Sequence, residues 1–173
     1  MKVLYNTNTF VIFAGFAILQ ILLTGLIDLG PLFFICVYPL FLLTLPLDFS
    51  TNRLMLWAFA MGLVIDYFSN SILGINSAAS LVMVLGQPRL FKLIYRKGDM
   101  ENQLRPGLRE LGIRRFSAYI ALNLLIHHIA LTALESFGFA HFLQTLPRVL
   151  ISLIVNTLLI LVIEYGVFYK DYR

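Results

Sequence analysis

Residues 54–88 read LMLWAFAMGLVIDYFSNSILGINSAASLVMVLGQP and contain one charged side chain, that of Asp66. Two apolar stretches flank a short turn around residues 69–76, where polar residues and a glycine interrupt the pattern. Neither stretch alternates apolar and polar residues as a strand of a membrane barrel does. Because a helix satisfies its own backbone hydrogen bonds in lipid, this segment predicts two membrane-embedded helices joined by a tight turn.

The composition of the whole chain indicates an integral membrane protein. Of its 173 residues, 60% are hydrophobic and 13% are charged, and the mean hydropathy is +0.86. Soluble domains are roughly 45–50% apolar and about 25% charged, so this chain lacks their polar surface. The composition therefore excludes a disordered tail and a conventional cytosolic enzyme. The single cysteine, Cys36, excludes an internal disulfide and hence a disulfide scaffold.

Six apolar segments separated by turn signals predict an all-α, six-helix transmembrane bundle. The expected helices cover residues 9–29, 31–47, 54–70, 75–95, 116–137 and 147–168. Pro39 is expected to kink the second helix, and Pro147 to mark the start of the sixth. Six spans of this length account for most of the chain, so we expect one transmembrane domain, residues 1–173.

Basic residues are distributed unevenly over this six-helix topology. Twelve of the thirteen lysines and arginines fall on one side, and Arg148 is the exception. The positive-inside rule then predicts that both termini are cytoplasmic. The basic loop 96–115 is expected to contact anionic lipid headgroups or to dock a cytoplasmic protein. Nucleic-acid binding is not indicated, because no aromatic residues alternate with these charges.

Asp66 is the clearest candidate for a functional residue, because ionisable groups within membrane spans are rare. Ala58, Gly62 and Asp66 recur every four residues and therefore share one helix face, where small residues let another helix approach closely. One hypothesis pairs Asp66 with Arg148, the only basic residue expected on the outer side. The alternative is that Asp66 caps the turn at residues 70–76.

His127 and His128 are weaker candidates in the middle of the fifth helix. Hydrogen-bonded, neutral imidazoles inside the bundle are the expected state, and a proton relay or a metal site are the alternatives. Adjacent histidines point about 100° apart on a helix, which disfavours a shared metal ion, and a metal site usually needs three or four ligands. The chain has no catalytic or nucleotide-binding motif. We therefore expect no catalytic residues, no cofactor and no metal.

The segment from Gly62 to Ala78 resembles the rod shape-determining protein MreD family. That family has a helix ending in G-x-x-x-D, a short turn with L-G, and then a segment with small residues. Here the matching residues are Gly62, Asp66, Leu73-Gly74, Asn76 and Ala78. The sharp motif covers about fifteen residues, whereas the length, the six expected spans and the basic loop extend the resemblance over most of the chain.

The resemblance implies a non-catalytic scaffold in the bacterial inner membrane. MreD proteins associate with MreC and, through it, with MreB filaments, the RodA glycosyltransferase and its transpeptidase partner. The family fold resembles the substrate-binding component of energy-coupling-factor vitamin transporters, which makes such a component the alternative function. The A-x-x-x-A typical of those components is absent from the first helix, where Ala14 and Ala17 lie three apart. Apart from membrane lipids, we expect no small-molecule ligand.

Overall fold

The computed structural model describes residues 9–26, 33–46, 49–69, 72–94, 105–136 and 142–168, and within them all regular secondary structure is helical. The helices are α1 (Thr9–Leu26), α2 (Pro39–Leu43), α3 (Thr51–Phe68), α4 (Ile75–Ile94), α5 (Leu108–Glu135) and α6 (Phe142–Ile163), which continues into a π-helical turn (Glu164–Phe168). Three segments, Thr9–Leu26, Leu108–Glu135 and Gln144–Phe168, are long and apolar enough to cross a membrane. The all-helical class is confirmed, and the six-span topology stays a prediction.

Helices α3 to α6 form an antiparallel series in which each helix packs against the next. Gln87 near the end of α4 bonds Tyr119 in the first half of α5, and His128 in α5 bonds Asn156 in α6. Because neighbouring helices in this series run in opposite directions, the bundle has two ends. The hairpin end holds residues 66–69 and 72–77, Glu135 and Arg148. The basic end holds the cations Arg53, Arg89, Lys92, Arg105, Arg109, Arg114 and Arg115.

Over residues 150–164, α6 and the π-helical turn have buried polar side chains on one face and exposed apolar side chains on the other. Ser152, Asn156 and Glu164 are buried at four- or eight-residue spacing, together with Ile160. The opposite face, formed by Leu150, Ile154, Leu158 and Val162, is exposed. A soluble helix shows the reverse pattern, with its apolar face buried. This arrangement suits a helix whose outer face meets lipid and whose inner face bonds to other parts of the protein.

The expected second helix, 31–47, is wrong for the described residues. Residues 33–37 have no regular secondary structure, and α2 is a five-residue helix that begins at Pro39. Proline lacks an N–H and fits the first turn of a helix, so Pro39 starts this helix instead of kinking a longer one. A second proline, Pro46, follows shortly after its end. The segment 33–38 nevertheless lies inside the bundle, where Cys36, Val37 and Tyr38 are buried.

The other helix bounds agree with the predicted ones to within a few residues, except at two starts. Helix α5 begins at Leu108 instead of 116, and its first turn is separated from the rest by Gly112, whose φ of 69° is left-handed. Helix α6 begins at Phe142 instead of 147, so Pro147 lies inside the helix and does not start it. Residues 27–29, predicted to end the first helix, and residues 95–104 of the basic loop lie outside the described residues.

Candidate functional site

Gly62 lies where α3 and α4 meet most closely. A Cβ atom built on Gly62 would overlap the backbone N and Cα of Ser77 and would lie 2.7 Å from the carbonyl carbon of Asn76. Backbone atoms cannot move aside as a flexible side chain can. The close packing of the two helices therefore requires glycine at this position, as the four-residue spacing of small residues predicted.

The carboxylate of Asp66 binds the start of α4. Its Oδ2 accepts hydrogen bonds from the backbone N–H of Gly74 at 2.8 Å and of Ser77 at 3.3 Å. Its Oδ1 accepts from the backbone N–H of Asn76 at 3.0 Å and from Asn76 Nδ2 at 2.8 Å. The first N–H groups of a helix have no partner within it, and they favour a negative charge. Asp66, which is fully buried, thus caps the helix that follows its own.

Gly74 and Asn76 complete this α3–α4 hairpin. Gly74 has a φ of 96°, a left-handed conformation that glycine adopts without a steric penalty. That conformation turns its N–H toward Asp66 just before α4 begins. Asn76 bonds Asp66 with both its backbone and its side chain, and its Oδ1 accepts a hydrogen bond from Tyr38 Oη at 3.2 Å. Asp66, Gly74 and Asn76 of the motif therefore form one hydrogen-bonded cluster, in which Asp66 is fully buried.

The predicted Asp66–Arg148 pair is wrong. Arg148 Nη1 contacts Glu135 Oε2 at 3.3 Å, and its guanidinium lies 5.1 Å from the centre of the Phe34 ring. Both members of this ion pair are more than one-third exposed at the hairpin end. Asp66 finds closer partners in the backbone of its own hairpin, so the alternative in which it caps the turn is the one that the geometry supports.

Two amide side chains that were not predicted from the sequence hold the irregular segment 33–38. Gln20 of α1 donates to the Ile35 carbonyl at 2.8 Å and accepts from Val37 N at 2.7 Å and Tyr38 N at 3.3 Å. On the other side, Asn156 of α6 donates to the Phe34 carbonyl at 3.0 Å and accepts from Cys36 N at 2.9 Å.

Each amide therefore bonds a carbonyl and the N–H two residues later, as a neighbouring strand would. Ser152 adds a bond, since its Oγ accepts from Phe34 N at 3.1 Å. Irregular backbone is tolerated at membrane depth only where protein satisfies its polar groups. Gln20 and Asn156, both buried, meet that requirement from opposite sides. We call Gln20 and Asn156, which hold segment 33–38 from opposite sides, the clamp. The sequence signals that could have revealed it are the glutamine in α1 and the asparagine in an uncharged stretch of α6.

The two histidines lie between this clamp and the hairpin. The Nδ1 atoms of His127 and His128 are 3.4 Å apart, and both residues are fully buried. His128 Nε2 faces Asn156 Nδ2 at 3.2 Å, and His127 Nε2 faces Tyr38 Oη at 2.7 Å. A continuous chain of polar contacts therefore runs from Asn156 through both histidines and Tyr38 to Asn76 and Asp66.

The hydrogen bonds at the two ends of this series of contacts determine which nitrogen of each histidine carries the proton. Because the Oδ1 of Asn156 accepts from Cys36 N, its Nδ2 is free to donate to His128 Nε2. The backbone of Ser152 also bonds the His128 ring, and the arrangement that satisfies Asn156 is the one in which His128 Nε2 accepts from it. His128 then carries its proton on Nδ1 and donates to His127 Nδ1. His127 consequently carries its proton on Nε2 and donates to Tyr38, whose hydroxyl is left to donate to Asn76 or Ser80. This network assigns two neutral, complementary tautomers.

The chemistry of this core is hydrogen bonding to backbone and to other buried side chains. Within the described part of the chain, no group of three or more His, Cys, Asp or Glu side chains is arranged to hold a metal ion. Cys36 Sγ lies 3.9 Å from His127 Nδ1, which is contact distance for a thiol.

At the basic end, Glu164 is nearly buried and is held by Arg105. Its Oε2 accepts from Arg105 Nη2 at 2.7 Å, and its Oε1 accepts from the backbone N–H of Leu108 at 3.4 Å. The Arg105 guanidinium also stacks on Phe168, 3.9 Å from the ring centre. The pair joins the end of α6 to the start of α5, and the sequence analysis singled out neither partner for this role.

Comparison with known proteins identifies no relative: no family model, no curated protein and no solved structure matches the chain.

Proposed function

We propose that the chain is a non-catalytic scaffold of the bacterial cell-elongation machinery, acting as the MreD family does. The observation that carries the proposal is the α3–α4 hairpin. The resemblance depends on Gly62, Asp66, Gly74 and Asn76. These residues belong to one closely packed, hydrogen-bonded hairpin, in which Gly62 and Asp66 are buried. These motif residues serve the packing and hydrogen bonding of the hairpin, which supports a role for the protein that depends on its shape.

The polar core supports the same proposal. Gln20, Asn156, both histidines and Asp66 bond backbone groups or one another, and these bonds fix an irregular segment and a helix start in place. A scaffold needs such a rigid arrangement, because it must present a constant surface to its partners. In this proposal the chain lies in the inner membrane with both termini in the cytoplasm.

The proposed direct partner is MreC, which would link the chain to MreB, RodA and the transpeptidase. MreC has a single membrane helix, and such a helix needs an apolar surface to pack against in the membrane. The outer face of α6, defined by Leu150, Ile154, Leu158 and Val162, is apolar and exposed along its length. Helix α1 offers a second exposed apolar face that includes Phe10, Ile18 and Leu22.

The test is to purify the tagged protein from its native membranes in mild detergent and identify the bound proteins. We expect a single-span coiled-coil protein of the MreC type, together with cell-wall synthases. Gly62→Leu should reduce their recovery, because its side chain would wedge α3 from α4. Gly166→Leu is the matched control, since a Cβ there meets nothing within 4 Å.

One result would contradict the scaffold proposal, and another would contradict the role assigned to the hairpin. Recovery of a transducing subunit with ATPases and a small molecule would favour a vitamin-transporter component instead. Equal recovery of MreC by Gly62→Leu and Gly166→Leu, with both variants inserted and stable, would show that the hairpin does not shape the partner surface.

A further inference from the structure

A cavity of about 220 Å³ opens at the basic end of the bundle, between the start of α3 and the end of α4. Its walls are mainly apolar, with Leu45, Pro46, Phe49 and Phe91 among them, and its polar lining includes Gln87 and Lys92. Pockets for drug-sized molecules measure roughly 300–1,000 Å³, so this one suits a smaller group. The opening lies at the ends of these two helices.

Positive charge surrounds this cavity. Lys92, which lines it, is exposed in the last turn of α4. The guanidinium of Arg53 lies 5.1 Å from the centre of the Phe49 ring, which forms part of the wall. Both cations belong to the basic end. Basic pockets between membrane helices on the cytoplasmic side are a recurrent site for anionic lipid headgroups.

Gln87 supplies the second feature that points to a ligand. Its Nε2 donates to Tyr119 Oη at 2.7 Å, which fixes the side chain, and Tyr119 in turn donates to the Leu43 carbonyl at 3.2 Å. Its Oε1 is buried and has no hydrogen-bond partner among the described residues. Gln87 is one of the residues that line the cavity. A buried acceptor without a donor is costly, so this amide oxygen is suited to receive a donor from a molecule that enters beside it.

We infer that this cavity binds the headgroup of an anionic membrane phospholipid that carries a hydroxyl group, with phosphatidylglycerol as the chemical type. The phosphate is attracted by Lys92 and Arg53, a headgroup hydroxyl donates to Gln87 Oε1, and the apolar walls contact the glycerol backbone and the first part of an acyl chain. The inference rests on the cavity and its lining, and it does not depend on the scaffold proposal.

The experiment is a titration of the delipidated, detergent-solubilised full chain with defined lipids, followed by native mass spectrometry. We expect phosphatidylglycerol to be retained at least five-fold better than phosphatidylcholine, which has neither net charge nor a hydroxyl donor. Phosphatidylmethanol, which has the charge without the hydroxyls, should bind more weakly than phosphatidylglycerol. Equal binding of phosphatidylmethanol would overturn the role assigned to Gln87.

Charge-reversal variants test the location. Lys92→Glu should abolish the preference for phosphatidylglycerol, because it places a negative charge beside the phosphate. Arg114→Glu is the matched control: it is the same type of charge reversal at an exposed position of the same end, and Arg114 does not line the cavity. Equal losses in the two variants would indicate general attraction to a basic surface and would overturn the site.

A soluble competitor distinguishes a lipid from a free phosphate. Glycerol 3-phosphate should not displace phosphatidylglycerol at similar concentration, because it lacks the acyl chains that contact the apolar walls. Displacement as effective as by the lipid itself would overturn the lipid assignment and indicate a soluble phosphate ester.

Discussion

Replacing Gln20 with leucine tests whether a single amide holds segment 33–38 in the bundle. The substitution places an apolar side chain of similar size in α1. It removes three hydrogen bonds, to the Ile35 carbonyl and to the N–H groups of Val37 and Tyr38. All three bonds come from a side chain that is 1% exposed. The backbone groups would lose these bonds without gaining access to water.

The expected cost follows from the number of bonds. Side-chain hydrogen bonds in membrane proteins average about 0.6 kcal/mol each, so three give a lower estimate of roughly 2 kcal/mol. Each buried group that is left without a partner costs about 1–3 kcal/mol, which raises the upper estimate to several kcal/mol. We therefore expect the free energy of unfolding to fall by about 2–5 kcal/mol, with the shorter bonds accounting for most of it.

The assay is reversible unfolding in mixed micelles with increasing SDS, followed by fluorescence. Trp57 is the only tryptophan and packs on Phe10, Phe13 and Phe41, so its emission reports the packing of α1, α2 and α3. Gln144→Leu is the control, because it is the same substitution at an exposed position of α6. If the two variants differ by less than about 0.5 kcal/mol, which is the usual range of surface substitutions, the clamp does not stabilise the protein and the reasoning is refuted.

Four further substitutions test the hairpin and the two ion pairs. Gly62→Ala should lower the thermal midpoint, since overpacking costs about 1–3 kcal/mol, and an unchanged midpoint would show that α3 and α4 are not in close contact. Asp66→Asn should cost about 1–3 kcal/mol, because an amide NH₂ replaces one oxygen that accepts from backbone N–H groups; amide hydrogen exchange at the start of α4 should speed up, and unchanged exchange would exclude the cap. Arg105→Ala should cost about 3–5 kcal/mol, because it leaves the nearly buried Glu164 unpaired, whereas Arg148→Ala should cost at most about 1 kcal/mol at its exposed site. Equal losses of stability in the two arginine variants would contradict this ranking.

The sequence predicted those parts of the fold that depend on local patterns. The bounds of α3 and α4 follow from long apolar runs and turn residues, and the pairing of Gly62 with a close helix follows from four-residue spacing on one face. The second helix could not be predicted in this way. Residues 33–38 are as apolar as a membrane helix, and their irregular backbone depends on amides that lie 15 to 122 positions away in the chain.

The candidate site shows the same division. Asp66 stood out because it is the one charge in a long apolar stretch, yet its proposed cation was wrong. The error came from counting charges and overlooking backbone donors, since the exposed N–H groups of a helix start lie only eight to eleven residues further along the chain. The capping role of Asp66 lies within one hairpin, and the sequence predicted it as the alternative to the ion pair. The Glu164–Arg105 pair joins distant segments, so no local sequence pattern indicated it.

The direction of the hydrogen bonds explains how this core can be specific despite its irregular backbone. Helices in lipid gain little from burying apolar surface against one another, so polar contacts have a larger share in selecting one arrangement. Here Asn156 is oriented by the backbone at one end, and Asp66 and Asn76 by the start of α4 at the other. Both histidines lie between these fixed ends and can satisfy them with one pattern of protons.

Adding a proton to either histidine would place an N–H donor against another donor. On His128 the new N–H would face Asn156 Nδ2, and on His127 it would face the N–H of His128. If the Asn156 amide rotated to accept the new N–H of His128, its bonds to Cys36 N and the Phe34 carbonyl would break, and the backbone of Ser152 would remain as the other partner of the His128 ring. The bonds of Asn156 to segment 33–38 and the neutral state of the histidine pair therefore depend on each other. They belong to one hydrogen-bond network that links α3, α4, α5 and α6.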